Sequence, residues 1–152
     1  MTIVPTDVSD ITRAIEAMLN EAVEIGQAGV IIERSEEIRE TPTKHGWVGI
    51  YPDEENYPLR TLGMGSGYRN QLIRPFLLVG ESDLTSGADC EDRLSALLRK
   101  VVGILLSDTS LRGTVQTIDD FVVRRVKFGK SDGVYTQMAR IDFTGVIPVS
   151  AM

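Results

Sequence analysis

Residues 119–149 read DDFVVRRVKFGKSDGVYTQMARIDFTGVIPV, and this stretch decides the fold that the sequence predicts. Two apolar-rich runs flank a turn over residues 128–133, which contains an Asp-Gly pair. Glycine suits a tight turn because it tolerates positive φ. The second run has a period of two, which is typical of a strand with one buried face. One face is predicted to carry Tyr135, Ala139, Ile141, Phe143 and Ile147, and the other Thr136, Arg140, Asp142 and Thr144.

The first of these runs alternates less clearly than the second. Val122, Val126 and Phe128 are predicted to share one face of a strand, with Arg124 between them. Together the two runs predict a long β-hairpin, which closes a sheet against which one or two helices pack.

Working outward, two stretches have the three- and four-residue apolar spacing of amphipathic helices, namely residues 7–24 and 88–106. The first helix can begin at Asp7 or Ser9, and the second follows a capping pair that starts at Ser86. Both predicted helices therefore have a buried stripe and a local signal that starts them.

Shorter apolar runs predict strands at residues 30–32, 70–81 and 114–118. Pro75 cannot donate a backbone hydrogen bond, so we expect an edge, a bulge or a strand start at that position. The predicted fold class is α+β: a single domain over residues 1–152, with a mixed, mainly antiparallel sheet, the long C-terminal β-hairpin and two main helices packed on one face.

Residues 35–68 lack a period and are predicted to form a long loop or insertion. Residues 47–51 are the one part of it that has the composition of a strand. Such long connections are usually functional, so we expect this one to contact a partner. Deleting residues 41–66 is predicted to leave the fold intact and to damage assembly.

Bulk composition excludes several classes of protein. A chain of 152 residues fits one domain, and its net charge of −6 disfavours a general nucleic-acid binder, which needs a basic face. The single Cys90 excludes an intrachain disulfide, which is typical of a reducing compartment. Residues 1–5 lack the pattern of a signal peptide, and no apolar run is long enough to span a membrane. We therefore expect a soluble protein that, in a bacterial cell, is cytoplasmic.

Candidate chemical motifs are weak. Gly63, Gly65 and Gly67 are interpreted as a flexible hinge, because a strand follows them where a phosphate-binding loop needs a helix. The lone His45 has no partner in a ligand or base pattern, and Cys90 at a helix start is surrounded by acids that oppose a thiolate. Asp119-Asp120 and the acids at residues 53–55 lack the spacing of a cation site. No catalytic residue, metal or cofactor is predicted.

Aromatic residues in the long connection are better candidates for function. Trp47, Tyr51 and Tyr57 either anchor a partner or pack locally on the sheet, since both uses select the same residue types. Arg60 and Arg69 flank the glycine-rich segment and could pair with acids of a neighbouring subunit.

The C-terminal two thirds resembles the tail terminator and tail completion proteins of long-tailed bacteriophages. The resemblance is carried by the apolar strand at residues 76–79, the helix that follows it, the phrase at residues 107–115 (SDTSLRGTV), and two long strands that end in ARIDF at 139–143 and in Val146. The N-terminal helix and the short strand after it also agree with this layout. Residues 35–68 match nothing in that family.

The resemblance implies a non-enzymatic virion protein. Members of the family form sixfold rings at the head-proximal end of the tail, where they cap the tail tube, end its growth and present a docking face to the head connector. The implied partners are copies of itself, the tail tube protein and connector or neck proteins. DNA is expected to pass through the ring without specific binding, and no membrane is involved.

Two alternatives remain open from the sequence. The first is a connector or neck protein that joins head to tail. The second is a small cytosolic enzyme or ligand-binding protein that uses the glycine-rich segment for an anion, which predicts thermal stabilisation by nucleotides or phosphate.

Overall fold

The computed structural model describes residues 6–39, 46–57 and 68–150. The elements in the described part are, in chain order, α1 (Val8–Glu21), α2 (Val23–Gln27), β1 (Ile31–Arg34), β2 (Trp47–Asn56), β3 (Tyr68–Asp83), α3 (Gly87–Ser107), β4 (Thr117–Ser131) and β5 (Val134–Ser150). The strands form one sheet in the order β1-β2-β3-β5-β4, in which β1 runs parallel to β2 and the other neighbours are antiparallel. The predicted α+β class is confirmed.

The helices begin where their capping residues predict. The Asp7 carboxylate accepts a hydrogen bond from the Ser9 backbone N–H at 3.0 Å, and the Ser86 hydroxyl accepts one from Asp89 at 3.0 Å. The first helix ends earlier than predicted, because Ala22 is extended and separates α1 from the short α2. No helix in the described part of the chain is long and apolar enough to cross a membrane.

The main core lies between the helices and one face of the sheet. Both α1 and α3 contribute one apolar stripe, as their spacing predicts. The central members of this core are Ile11, Ile15, Leu19, Leu94, Leu98, Val101, Val48, Ile50, Leu77, Val79, Ala139, Ile141 and Phe143. We call the face of the sheet that packs on the helices the helix face, and the opposite one the open face.

The hairpin of β4 and β5 is confirmed, and its turn is tighter than predicted. The strands extend to Ser131 and Val134, so that only Asp132 and Gly133 connect them, with φ of 52° and 78°. Positive φ at both residues is the type I′ geometry that matches the twist of a hairpin.

The two strands of the hairpin differ in how well their faces were predicted. In β5, Ala139, Ile141 and Phe143 lie on the helix face as predicted. In β4 the predicted shared face is wrong: Val122 pairs with Asp142, whereas Phe128 pairs with Gln137, which points to the opposite side. The register shift between Arg125 and Lys127 causes this, because one extra residue reverses the alternation.

The segment 35–68 is not irregular throughout. The strand expected from the composition of residues 47–51 is confirmed, and the prediction of a loop is wrong for residues 52–56, because β2 continues through them. β2 pairs with β3 along its length, and Trp47, Val48 and Ile50 are fully buried. A register shift between Tyr51 and Glu54 places the extra residue of β2 opposite Pro75, so of the edge, bulge or strand start expected at Pro75 the structure has a bulge. Deletion of residues 41–66 would remove a core strand, contrary to the prediction that it leaves the fold intact.

Candidate interaction surface

The strand β4 is exposed along most of its length. Among the described residues it pairs only with β5, so it forms one edge of the sheet. Residues 122–128 are exposed without interruption, and this run is VVRRVKF. Val126 is 50% exposed and Phe128 is 67% exposed. Long apolar strand edges tend to pair with another chain unless something covers them.

Local geometry explains why β4 stays outside the core. Its start is bulged between Asp119 and Val122, where Asp120 has φ of 53° and donates its N–H to the Asp119 carboxylate at 2.8 Å. After the bulge, Phe121 stacks on Phe143 with ring centroids 5.6 Å apart. The strand then runs past α3, which packs on β3 and β5. Residues 122–128 are consequently left uncovered on both faces.

This exposed edge is basic. Residues 121–131 contain four cations and no acid, in a chain whose net charge is −6: Arg124, Arg125, Lys127 and Lys130. Arg125 donates to the Ser95 hydroxyl of α3 at 2.8 Å, and the Lys130 ammonium lies 4.9 Å from the centroid of the Tyr135 ring. We call residues 121–131 the basic edge.

Arg124 is exposed and lies opposite another arginine. It pairs with Arg140 across the β4–β5 ladder, and like charges in that position repel. Arg140 is held instead by Asp142 at 2.9 Å and by Asp53 at 3.4 Å, and its guanidinium lies 3.9 Å from the centroid of the Phe76 ring. These contacts hold Arg140 on the open face and leave the exposed Arg124 with its charge at the edge.

The opposite edge of the sheet has the opposite charge. Residues 31–39 and 46–57 contain six acids and two arginines. The acids are Glu33, Glu36, Glu37, Asp53, Glu54 and Glu55, of which all but Glu33 are exposed. We call these two segments the acidic edge. β1 covers β2 only as far as Ile50, and a cleft of about 310 Å³ beyond β1 is lined by Glu33, Glu36, Glu37, Ile38 and Arg39.

The sequence-predicted partner residues do not all lie on the surface. Trp47 is 0% exposed and packs with Leu78 and Met138 on the open face. Its ring also covers Gly49, where an added Cβ would lie 2.6 Å from the indole. Trp47 therefore packs locally on the open face, which is one of the two uses that the sequence allows.

The other predicted partner residues have different positions. Tyr51 is half-buried and stacks on Phe76 with centroids 5.2 Å apart, which is also local packing. Tyr57 is 45% exposed, donates its hydroxyl proton to Glu55 and accepts from Gln71. Arg60, the hinge glycines Gly63, Gly65 and Gly67, and the side chain of Arg69 lie outside the described residues, as does His45.

Sequence reasoning missed the basic edge because its apolar residues were assigned to a buried face. The signal that could have identified it is the cation content. A strand with one buried face seldom places Arg124, Arg125 and Lys127 so close together, because charged side chains avoid full burial.

The described part of the chain contains a potential nucleophile and potential metal ligands. Cys90 is fully buried, donates its thiol to the backbone oxygens of Glu81 and Tyr135, and burial raises its pKa. Within residues 6–39, 46–57 and 68–150, no group of acids, cysteines or histidines could hold a metal ion. The larger open cleft, of about 690 Å³ between the ends of α1 and α3, includes the ion pair of Arg112 with Glu21.

Glu81 gives the stability of the fold a predicted pH dependence. Its side chain is 9% exposed and lies 3.7 Å from Arg93, and burial raises its pKa to about 7 although Arg93 and Lys100 oppose this. The folded state thus holds the proton more tightly than the unfolded state, so this group makes stability fall as pH rises from about 4.5 to about 7. Between pH 5 and pH 8, ionisation of Glu81 is expected to lower the free energy of unfolding of the native protein by roughly 2–3 kcal/mol. Glu81→Gln is expected to remove this decrease.

Urea unfolding at the two pH values measures this effect. The matched control is Glu91→Gln, an exposed acid of the same helix–strand region, which is expected to keep the pH dependence of the native protein. Equal pH dependence in Glu81→Gln and in the native protein would contradict the assignment to Glu81.

Comparison with models of known protein families finds no match, and comparison with curated proteins finds none either. Function is therefore inferred from the two edges of the sheet and from the resemblance to tail terminator proteins.

Proposed function

We propose that this protein is a non-enzymatic structural subunit of a long-tailed bacteriophage, a tail terminator. Copies assemble into a closed ring, six-membered as in the family it resembles, at the head-proximal end of the tail. The ring ends growth of the tail tube and provides the docking face for the head connector. Assembly takes place in the host cytoplasm, and the product is part of the virion.

One observation carries the proposal: the seven consecutive exposed residues of β4. Four of them are apolar, and they lie on a strand that has no partner on its outer side among the described residues. Exposed apolar surface of this kind marks a protein–protein contact. An enzyme or ligand-binding protein of this size needs a pocket with converging polar groups, and the edge of a sheet offers a partner a strand to pair with instead.

The arrangement also supports a ring over a two-fold dimer. A ring needs two different and complementary patches on each subunit, and the sheet has two edges that differ in charge and in composition. The acidic net charge of the chain supports passage of DNA through such a ring without specific binding, since a repeated negative charge repels phosphates.

Tube growth in vitro tests this function. The cognate tail tube protein is polymerised with and without this protein, and tube lengths are measured by electron microscopy. We expect the native protein to cap the tubes and to limit their length. Tubes that grow to the same length in both conditions would contradict the terminator role.

A variant of β4 links the function to the proposed surface. Val126→Thr combined with Phe128→Thr keeps residues that favour strands and removes apolar contact area. We expect it to fold, to weaken self-association at least about tenfold and to lose the capping effect. The matched control is Val23→Thr with Leu84→Thr, which removes exposed apolar groups outside β4 and is expected to cap tubes normally. Equal loss in both variants would contradict the role of β4.

A further inference from the structure

We propose that the basic edge of one copy binds the acidic edge of the next copy, so that the sheet continues from subunit to subunit. The occupant of the exposed β4 edge is therefore a second copy of this chain, seated against β1 and the outer half of β2. This inference rests on the proposed function and identifies the two surfaces through which the ring closes.

Charge complementarity is the first argument. The basic edge carries four cations, and the acidic edge carries six acids against two arginines of its own. Two of these acids also pair with arginines of neighbouring strands, Glu54 with Arg74 at 2.8 Å and Asp53 with Arg140 at 3.4 Å, which leaves the acidic edge with a smaller negative charge. These two edges are the outermost strands of one sheet, so they face away from each other within a subunit. Complementary potentials on opposite sides of one molecule favour head-to-tail association of identical copies and fix its register.

The same charges disfavour the symmetric alternatives. A two-fold dimer through β4 would place Arg124, Arg125 and Lys127 of one copy against the same residues of its partner. A two-fold dimer through β1 and β2 would bring Glu36, Glu37 and the acids of β2 together. Like-charge contacts of this kind cost several kcal/mol, which leaves the heterologous pairing.

Strand direction agrees with this pairing. β1 and β2 run parallel to each other, β3 runs against β2, β5 against β3, and β4 against β5. β4 is therefore antiparallel to β1 and β2. A neighbouring copy that continues the sheet without reversing it places its β4 antiparallel to the adjacent β1, and antiparallel pairs form the more stable ladder.

Charge reversal at the two edges tests the inference. Arg124→Glu with Lys127→Glu reverses the basic edge, and Glu36→Lys with Glu37→Lys reverses the acidic edge. Sedimentation velocity measures the association of the native protein, each reversed variant, an equimolar mixture of the two and the chain with all four changes.

Each reversed variant alone is expected to associate at least about tenfold more weakly, since each contact becomes repulsive. The four-fold variant is expected to recover association to within about threefold of the native protein, because opposite charges face each other again.

Two controls separate the edges from effects of net charge and folding. Arg13→Glu with Arg99→Glu makes the same change in net charge on exposed helix residues and is expected to associate like the native protein. Circular dichroism confirms folding of each variant, and Arg124→Ser with Lys127→Ser replaces the reversed variant if that one does not fold. The variant Arg124→Ser with Lys127→Ser is expected to associate more weakly than the native protein, and its association is expected to depend less on salt concentration.

The outcomes distinguish this inference from the proposed function. If the native protein forms a ring and the reversed variants do so equally well, the edge pairing is overturned and the ring remains. If each reversed variant dissociates and the four-fold variant does not recover, the pairing of these two edges is also overturned. If the native protein stays monomeric even with tube protein, both the ring and the edge pairing are overturned.

Discussion

Replacing Trp47 with alanine is expected to lower the free energy of unfolding by about 3–5 kcal/mol, the usual cost of removing a large buried aromatic side chain. Trp47 is completely buried, packs with Leu78 and Met138, and covers Gly49, whose missing side chain makes room for the indole. The cavity left by alanine cannot be filled by that glycine. The open face of the sheet would lose the centre of its apolar cluster.

Urea unfolding measures the loss, and it is best performed in the Val126→Thr/Phe128→Thr background so that association does not contribute to stability. Leu84→Ala is the control, because Leu84 is 78% exposed and its truncation is expected to change stability by about 0.5 kcal/mol or less. Unchanged stability of Trp47→Ala in this background, together with loss of tube-protein binding by Trp47→Ala in the otherwise native chain, would contradict our assignment and make Trp47 a partner anchor.

Deletion of residues 41–66 is expected to abolish the cooperative unfolding transition. The deletion removes the whole of β2 and with it the fully buried Trp47, Val48 and Ile50. Truncation of each such residue costs roughly 1–5 kcal/mol, and the sum reaches the roughly 5–15 kcal/mol that a domain of this kind has in total. The deletion also removes the partner of β1 and one neighbour of β3.

Thermal unfolding followed by circular dichroism measures this outcome. The control replaces residues 58–67 with a Gly-Ser linker of equal length, which keeps β2 and every contact described above, and we expect it to unfold cooperatively. A deletion variant with a native-like transition would show that β2 is dispensable and would contradict its place in the core.

Elements with local signals could be predicted from the sequence. The apolar stripe of α3 and the Ser86 cap lie within a few residues of each other, and the Asp132-Gly133 turn is set by its own backbone chemistry. The alternation of buried and exposed side chains along β5 could also be predicted, because the register of β5 with β3 has no shift. In these places local preference and tertiary packing agree.

Elements whose structure depends on distant partners could not be predicted. β2 was missed beyond Tyr51 because Pro52 and the acids at 53–55 hide a strand that exists through its pairing with β3. The shared face predicted for Val122, Val126 and Phe128 is wrong because the bulges of β4 cannot be recognised from the spacing of its apolar residues. Opposite charges on two edges become visible only once the strand order is known.

Native mass across a concentration series at low salt is the most direct measurement, since association through charged edges weakens as salt rises. We predict one discrete oligomer of defined subunit number that does not grow further with concentration, as a closed ring requires. A monomer at every concentration, with and without the tube protein, would contradict the ring and the role proposed for β4.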